Sequence, residues 1–156
     1  MAGIRSIGWW VPSVRRSAAS LAAEFGVSLA SLEAFGMHSR TEAAADDHPS
    51  TMGARAVTSA LAAAGLGIDD VDLLIFAGIT RDYPSPWVGA FGVLHQLGAT
   101  RTAGFDLVNR CASVHDALWV AAKLIETKAR HRVVVCCAER FDHLFTASQP
   151  TKTPAD

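Results

Sequence analysis

Apolar residues in this chain fall into short runs separated by polar or Gly/Pro breaks, and the period changes from run to run. Residues 4–11 (IRSIGWWV) predict a strand, closed by Pro12, since proline cannot easily extend a ladder. Helical spacing over 17–25 and 28–35 predicts two short helices, with Ser28 suited to cap the second. Residues 42–48 are polar and acidic and predict a loop. Ser50 or Thr51 is placed to cap a helix running to about residue 64, ended by Gly65 and Gly67.

The run 72–80 (DLLIFAGIT) is continuously apolar after an acidic turn. It predicts a strand buried on both faces, as in a parallel sheet. Residues 81–86 form a loop broken by Pro84 and Pro86, and 87–97 a helix ended by Gly98. A short buried strand over 105–109 leads into a helix over 112–128, with Leu118, Ala121, Ala122 and Ile125 at helical spacing. Residues 132–138 (RVVVCCA) predict a further buried strand, and the polar stretch 146–156 holds Pro150 and Pro154. Alternating strands and helices at this spacing predict an α/β fold, a mixed but mainly parallel sheet with helices on both faces.

Composition adds exclusions. Half of the 156 residues are apolar and 19% charged, enough for one domain with a core. A formal charge of −1 implies no broad basic surface for nucleic acid. No apolar run approaches the roughly 18 residues of a membrane span, and the N-terminus is a poor signal peptide. A cytoplasmic location is the expectation. Three cysteines, Cys111, Cys136 and Cys137, make no disulfide framework. The adjacent pair in a strand points to opposite faces, and His131 with Cys136 and Cys137 does not match zinc ligation. No metal site is expected. Glycine-rich phosphate loops and a serine-centred elbow are lacking as well.

Cys111 needs its own explanation. It follows the strand FDLVN and opens the next helix, and ligands in an open α/β sheet collect at the carboxyl ends of strands. The partial positive charge and unsatisfied amides of a helix N-terminus favour thiolate over thiol. Arg110 adds to this if it points inward. Such a thiolate can attack a thioester and hold the acyl group. The competing explanation is a buried cysteine serving as a small hydrophobe. His115, four residues on, shares a helix face with Cys111, but a packed or hydrogen-bonded role suits it better than a local dyad. Asp106 and Asn109 flank the site, with strand-end hydrogen bonding the expected role for both. Of Trp9 and Trp10, adjacent in the predicted first strand, one faces the core and one does not.

Five segments together resemble the β-ketoacyl-acyl carrier protein synthase III group. FDLVNRCASVHDAL is similar to its nucleophile segment, a strand running into Cys, Ala and a long helix. IRSIGWWVP is similar to its opening strand, and STMGARAV to a helix start. DLLIFAGIT with RDYPSP is similar to the strand and Pro-containing loop before a helix ending in Leu-Gly, here Leu97 and Gly98. RVVVCCAE is similar to the strand after the nucleophile helix.

The resemblance covers roughly residues 3–145 and implies the N-terminal half of a thiolase-like fold. It implies residues 1–145 as a half-domain and 146–156 as a polar connection toward a C-terminal half. It implies an acyltransferase in which Cys111 accepts an acyl group from an acyl carrier protein or coenzyme A thioester, with no permanently bound cofactor. The acyl group then passes to a malonyl thioester or another acceptor. The family's catalytic His and Asn belong to the second half, expected on another chain or on the remainder of the polypeptide. The family's loop matching Tyr83 and Trp87 reaches a partner's pocket across a dimer, which makes both residues candidate substrate contacts in a homo- or heterodimer.

The chain also departs from the pattern. Ser113 and Val114 stand where Gly followed by Phe is common, so Ser113 is expected to reshape the pocket. Arg110 replaces a small residue. The Trp and Arg that coenzyme A-using members carry in the segment matching 30–34 are missing, and only Arg40 nearby keeps their character. That tilts the expected donor toward a carrier protein. Thr80 stands where the hydroxymethylglutaryl-coenzyme A synthase branch has Glu, which argues against that branch. The alternative function is a non-catalytic partner subunit completing a heterodimeric thiolase-fold complex.

Overall fold

The computed structural model describes residues 1–84 and 86–141. The predicted connection over 146–156 lies outside the described residues.

The continuous apolar run after the acidic turn forms the central strand of a parallel three-stranded sheet among the described residues. Here β3 (Leu73–Phe76) lies between β4 (Ala103–Asp106) and β5 (Val133–Cys136), in the order β4-β3-β5. All four residues of β3 are buried, which explains why the run shows no polar alternation. Leu74 and Phe76 face one way, into a core with Ala54, Val57 and Leu61 of α3 (Pro49–Ala64) and Ala90, Val93 and Leu94 of α4 (Gly89–Gln96). Leu73, Ile75 and Ala77 face the other way, against Ala117 and Ala121 of α5 (Ser113–Glu126). The sheet therefore has helices on both faces, as expected. At the amino ends of the strands, Asp72 accepts from the backbone N–H groups of His131 and Arg132 at 2.6 and 2.8 Å. Arg132's N–H, with that of His131, holds the Asp72 carboxyl below the usual carboxylate range.

The first helices also form as predicted. In α1 (Ala18–Phe25), Ser17 accepts from the Ser20 N–H, and in α2 (Leu29–Ala34), Ser28 accepts from the Ser31 N–H. They are bracketed by an antiparallel ribbon of β1 (Val14–Ser17) and β2 (Ser39–Glu42). The sequence pattern did not foretell this ribbon, because VRRS and SRTE are short, polar and mostly exposed. Helix α3 begins two to three residues earlier than a Ser50 or Thr51 cap suggested: His48 is its cap residue and Pro49 fills the first turn. Gly65, at φ 66°, closes it in the left-handed conformation.

Strand β4 starts two residues before the buried strand expected over 105–109, and Ala103 and Phe105 on it are exposed. Two further expectations need correction. Residues 4–11 are extended but pair with no strand among the described residues. They lie along α3 instead. Ser6 Oγ donates to Ala60 O at 2.8 Å and Arg5 Nη2 to Ala64 O at 2.9 Å. Gly8 sits so close to α3 that a Cβ there would fall 2.2 Å from Ala60 N. The period of two survives: Trp10 lies under Arg55, whose guanidinium is 4.6 Å from the ring centroid, while Trp9 is exposed. Alternation reports an extended backbone; it does not report a ladder partner. The second correction concerns α5, whose buried stripe is Ser113, Ala117 and Ala121. Leu118 and Trp119 point outward and are exposed. This helix carries apolar residues on two faces, and periodicity alone does not choose between them.

Candidate active site

The carboxyl ends of β3, β4 and β5 lie in register at Phe76, Asp106 and Cys136. Three loops leave this edge, and acidic side chains tie them down. Asp106, at the tip of β4, accepts from the backbone N–H groups of Gly89 and Ala90 at 2.9 and 2.8 Å, so it caps α4 from another strand. It also pairs with Arg81 Nε at 2.7 Å. Arg81 in turn donates to the carbonyls of Gly78 and Thr80. Glu139, just after β5, accepts from the N–H groups of Ile79 and Thr80 and from Thr80 Oγ1. Asp82 accepts from the N–H and hydroxyl of Ser50 in the first turn of α3. Each carboxylate thus meets amides that a helix start or turn would leave unsatisfied. Asp106 has the strand-end role its position implied. Arg81, Asp82 and Glu139 were not singled out by sequence; their only signal is an acid or base directly after an apolar run.

Cys111 lies on the elbow between β4 and α5, and it is exposed. It is not the sealed small hydrophobe of the competing explanation. Arg110 has φ 50°, the left-handed region, which costs a non-glycine residue about 1–2 kcal/mol. Such strain concentrates at functional turns. The amides of Ala112 and Ser113 close the turn onto the carbonyls of Asn109 and Arg110, each at 3.1 Å. Ser113 is 2% exposed. Its hydroxyl donates to Arg110 O and accepts from the Asn109 N–H, both at 2.7 Å. Asn109 Nδ2 also donates to Asp116 in the first turn of α5 at 2.6 Å. Ser113 therefore lies beneath the elbow, inside its hydrogen bonding. His115 is exposed in the first turn of α5.

Tyr83 and Trp87 stand on the loop after β3, the strand beside β4. Their rings meet edge to face, centroids 5.1 Å apart, and His48 stacks on Tyr83 at 6.0 Å. Tyr83 is 57% and Trp87 38% exposed. Beside them a cavity of about 240 Å³ is lined by Ala45, His48, Pro49, Arg81, Asp82 and Arg140. A larger cleft of about 530 Å³, lined by Asp69, Asp72, Arg101 and His131 among others, opens at the amino ends of the strands, away from Cys111. The structure thus brings Cys111, Arg110, Ser113, Tyr83 and Trp87 to one edge of the sheet. Arg40 belongs elsewhere: it lies on β2, its guanidinium 5.6 Å from the Phe25 ring centroid. Among the described residues no three His, Cys, Asp or Glu side chains converge as metal ligands, and no helix is long and apolar enough to cross a membrane.

The parallel sheet with helices on both faces, and an exposed cysteine on the elbow between β4 and α5, has a thiolase-like fold. The structure of 3-oxoacyl-acyl-carrier-protein synthase III from Aquifex aeolicus superposes with a TM-score of 0.81 at 26% identity, over 90% of this chain and 45% of that one. The corresponding enzyme from Pseudomonas aeruginosa gives 0.75 at 28% identity, over 84% and 39%. In sequence, the beta-ketoacyl-acyl-carrier-protein synthase III of Granulibacter bethesdensis is 37% identical over 143 residues, 91% of this chain and 44% of that protein. That of Sulfurovum sp. is 34% identical over 143 residues, 90% and 42%. The family described as 3-oxoacyl-acyl-carrier-protein (ACP) synthase III matches residues 105–153, which include the elbow. The chain matches the N-terminal portion of β-ketoacyl-acyl-carrier-protein synthase III proteins. It spans less than half the length of these relatives.

Proposed function

We propose that the complete protein is an acyl-thioester transferase of the ketosynthase III type and that Cys111 is its acyl acceptor. The observation that carries this reading is an exposed cysteine on a strained elbow at the carboxyl edge of the sheet, two residues before a helix. Sγ attacks the thioester carbonyl, the carbonyl–sulfur bond to the donor breaks, and the donor thiolate leaves to take up a proton. The Ala112 and Ser113 amides are committed to the turn, so the Cys111 amide is the elbow's own donor for the oxyanion. The acyl group then passes to a malonyl thioester or another acceptor.

In this reading residues 1–145 form one half-domain, and 146–156 lead toward a second half that supplies the His and Asn for the second step. That half is the remainder of the polypeptide or another chain, in a cytoplasmic homo- or heterodimer. Tyr83, Trp87 and Arg110 border the acyl path. Arg40, on the outlying ribbon, is suited only to the far end of a long donor such as an acyl carrier protein or coenzyme A thioester; no bound cofactor is required.

Mass spectrometry after incubation with an acyl thioester tests the proposal. An adduct on Cys111, lost in Cys111→Ala together with turnover, supports it. Turnover retained by Cys111→Ala in the assembled complex would assign this chain the role of a non-catalytic partner subunit.

A further inference from the structure

We infer that Ser113 is a positioning residue for Cys111, its buried hydroxyl clasping the elbow so that the left-handed Arg110 holds the thiol in its attacking direction. This rests on the reading of Cys111 as acyl acceptor.

The geometry is specific. The Asn109 N–H belongs to the peptide group before Asn109, and the Arg110 carbonyl to the peptide group that carries the Cys111 nitrogen. One hydroxyl reaches both, accepting from the first and donating to the second at 2.7 Å each. The backbone torsions of Asn109 and Arg110 lie between these two points, and Arg110 is the residue held at φ 50°. A hydroxyl is the smallest side-chain group that donates and accepts at once. Here it is 2% exposed, so water does not replace it freely. Asp116 supports the same turn from outside through Asn109 Nδ2. Without the hydroxyl, the Asn109 N–H loses its acceptor, and nothing but the Ser113 amide holds the Arg110 carbonyl. An arginine then drifts toward negative φ, turning the peptide that carries Cys111.

The experiment uses the full chain in its native assembly. Hexanoyl-N-acetylcysteamine is the acyl donor, iodoacetamide a probe of thiol access, and the exposed Cys137 an internal reference for alkylation. Ser113→Ala should lower the maximal rate of Cys111 acylation roughly tenfold, the loss of about one buried hydrogen bond's worth of positioning. The half-saturating thioester concentration should change by less than about twofold. Glycine adopts positive φ without penalty. The double variant Arg110→Gly/Ser113→Ala should therefore recover to within about threefold of Arg110→Gly alone. A merely structural serine would lower the melting temperature of both Ser113→Ala variants equally and leave the acylation rate of folded protein unchanged. Wild-type acylation that Ser113→Ala does not slow, or a double variant as slow as Ser113→Ala, overturns the inference and leaves the role of Cys111 standing. A wild-type Cys111 that iodoacetamide labels but the thioester never acylates overturns the functional reading, and this inference with it.

Discussion

At the scale of single residues, the three cysteines separate by environment. Cys111 and Cys137 are exposed, whereas Cys136 ends β5 inside the core and is 3% exposed. Burial pushes the Cys136 thiol up to about 12 from its ordinary 9.0. The sign of the linkage follows. The folded state keeps the Cys136 proton where the unfolded state releases it. This contribution to stability is therefore complete below pH 9.0 and is lost progressively as pH rises toward about 12. Denaturant titrations of wild type and Cys136→Ala across the alkaline range should show a flatter decline for the variant, even though it is less stable at neutral pH. Asp106 provides a second residue-scale prediction. It caps α4 and neutralises Arg81 at once, and both partners of that ion pair are 16% exposed. Asp106→Ala should cost about 3 kcal/mol in urea unfolding, from a lost cap and a half-buried cation left unpaired. Asp106→Asn, which keeps one acceptor for the amides, should cost less.

At the scale of elements, close approaches matter most. Gly53 lies in the second turn of α3, where alanine would ordinarily be preferred by about 1 kcal/mol. A Cβ there would meet Cys136 Sγ at 2.9 Å and Val93 Cγ2 at 3.1 Å. Overpacking of this kind costs about 1–3 kcal/mol, so Gly53→Ala should be net destabilising, by about 1 kcal/mol in chemical denaturation. A stabilised Gly53→Ala would show that α3 has room to move away from β5. This glycine also bears on what could be read in the sequence. The motif STMGARAV marked a helix start, but no local pattern shows that its glycine faces a cysteine more than eighty positions later. The buried central strand β3, the Ser28 cap and the Gly65 stop were legible because their signals are local: composition, period and φ. The ribbon of β1 and β2, the docking of 4–11 on α3 and the choice of face on α5 were not, because each depends on a partner distant in sequence. The site divides the same way. Cys111 was legible as a residue after a strand and before a helix, whereas the role of Ser113 inside the turn required coordinates. So did the Arg81–Asp106 pair, whose members are separated by 25 positions.

At the scale of the whole molecule, exposed large apolar side chains gather on the N-terminal segment and on α5, and such patches mark surfaces that partners cover. Trp9 is 75% and Trp119 66% exposed. Ile7 and Val11 accompany Trp9 on the outer side of the N-terminal segment, Leu118 accompanies Trp119 on α5, and Phe105 lies on β4, an edge strand among the described residues. Unpaired edges and apolar helix faces both invite association. If a second half or a partner normally covers α5, the isolated chain should self-associate. Multi-angle light scattering at micromolar concentration should then give a mass above the monomer's 16.5 kDa. Trp119 takes no part in the buried stripe of α5, so Trp119→Glu should leave the fold intact. Covering an indole of this size is worth roughly 2–3 kcal/mol, and its loss should move the mass toward 16.5 kDa with an unchanged circular dichroism spectrum. A wild-type chain that is already monodisperse at that mass, with Trp119→Glu indistinguishable from it, would mean that α5 needs no cover. The proposed second half would then have to dock on another face.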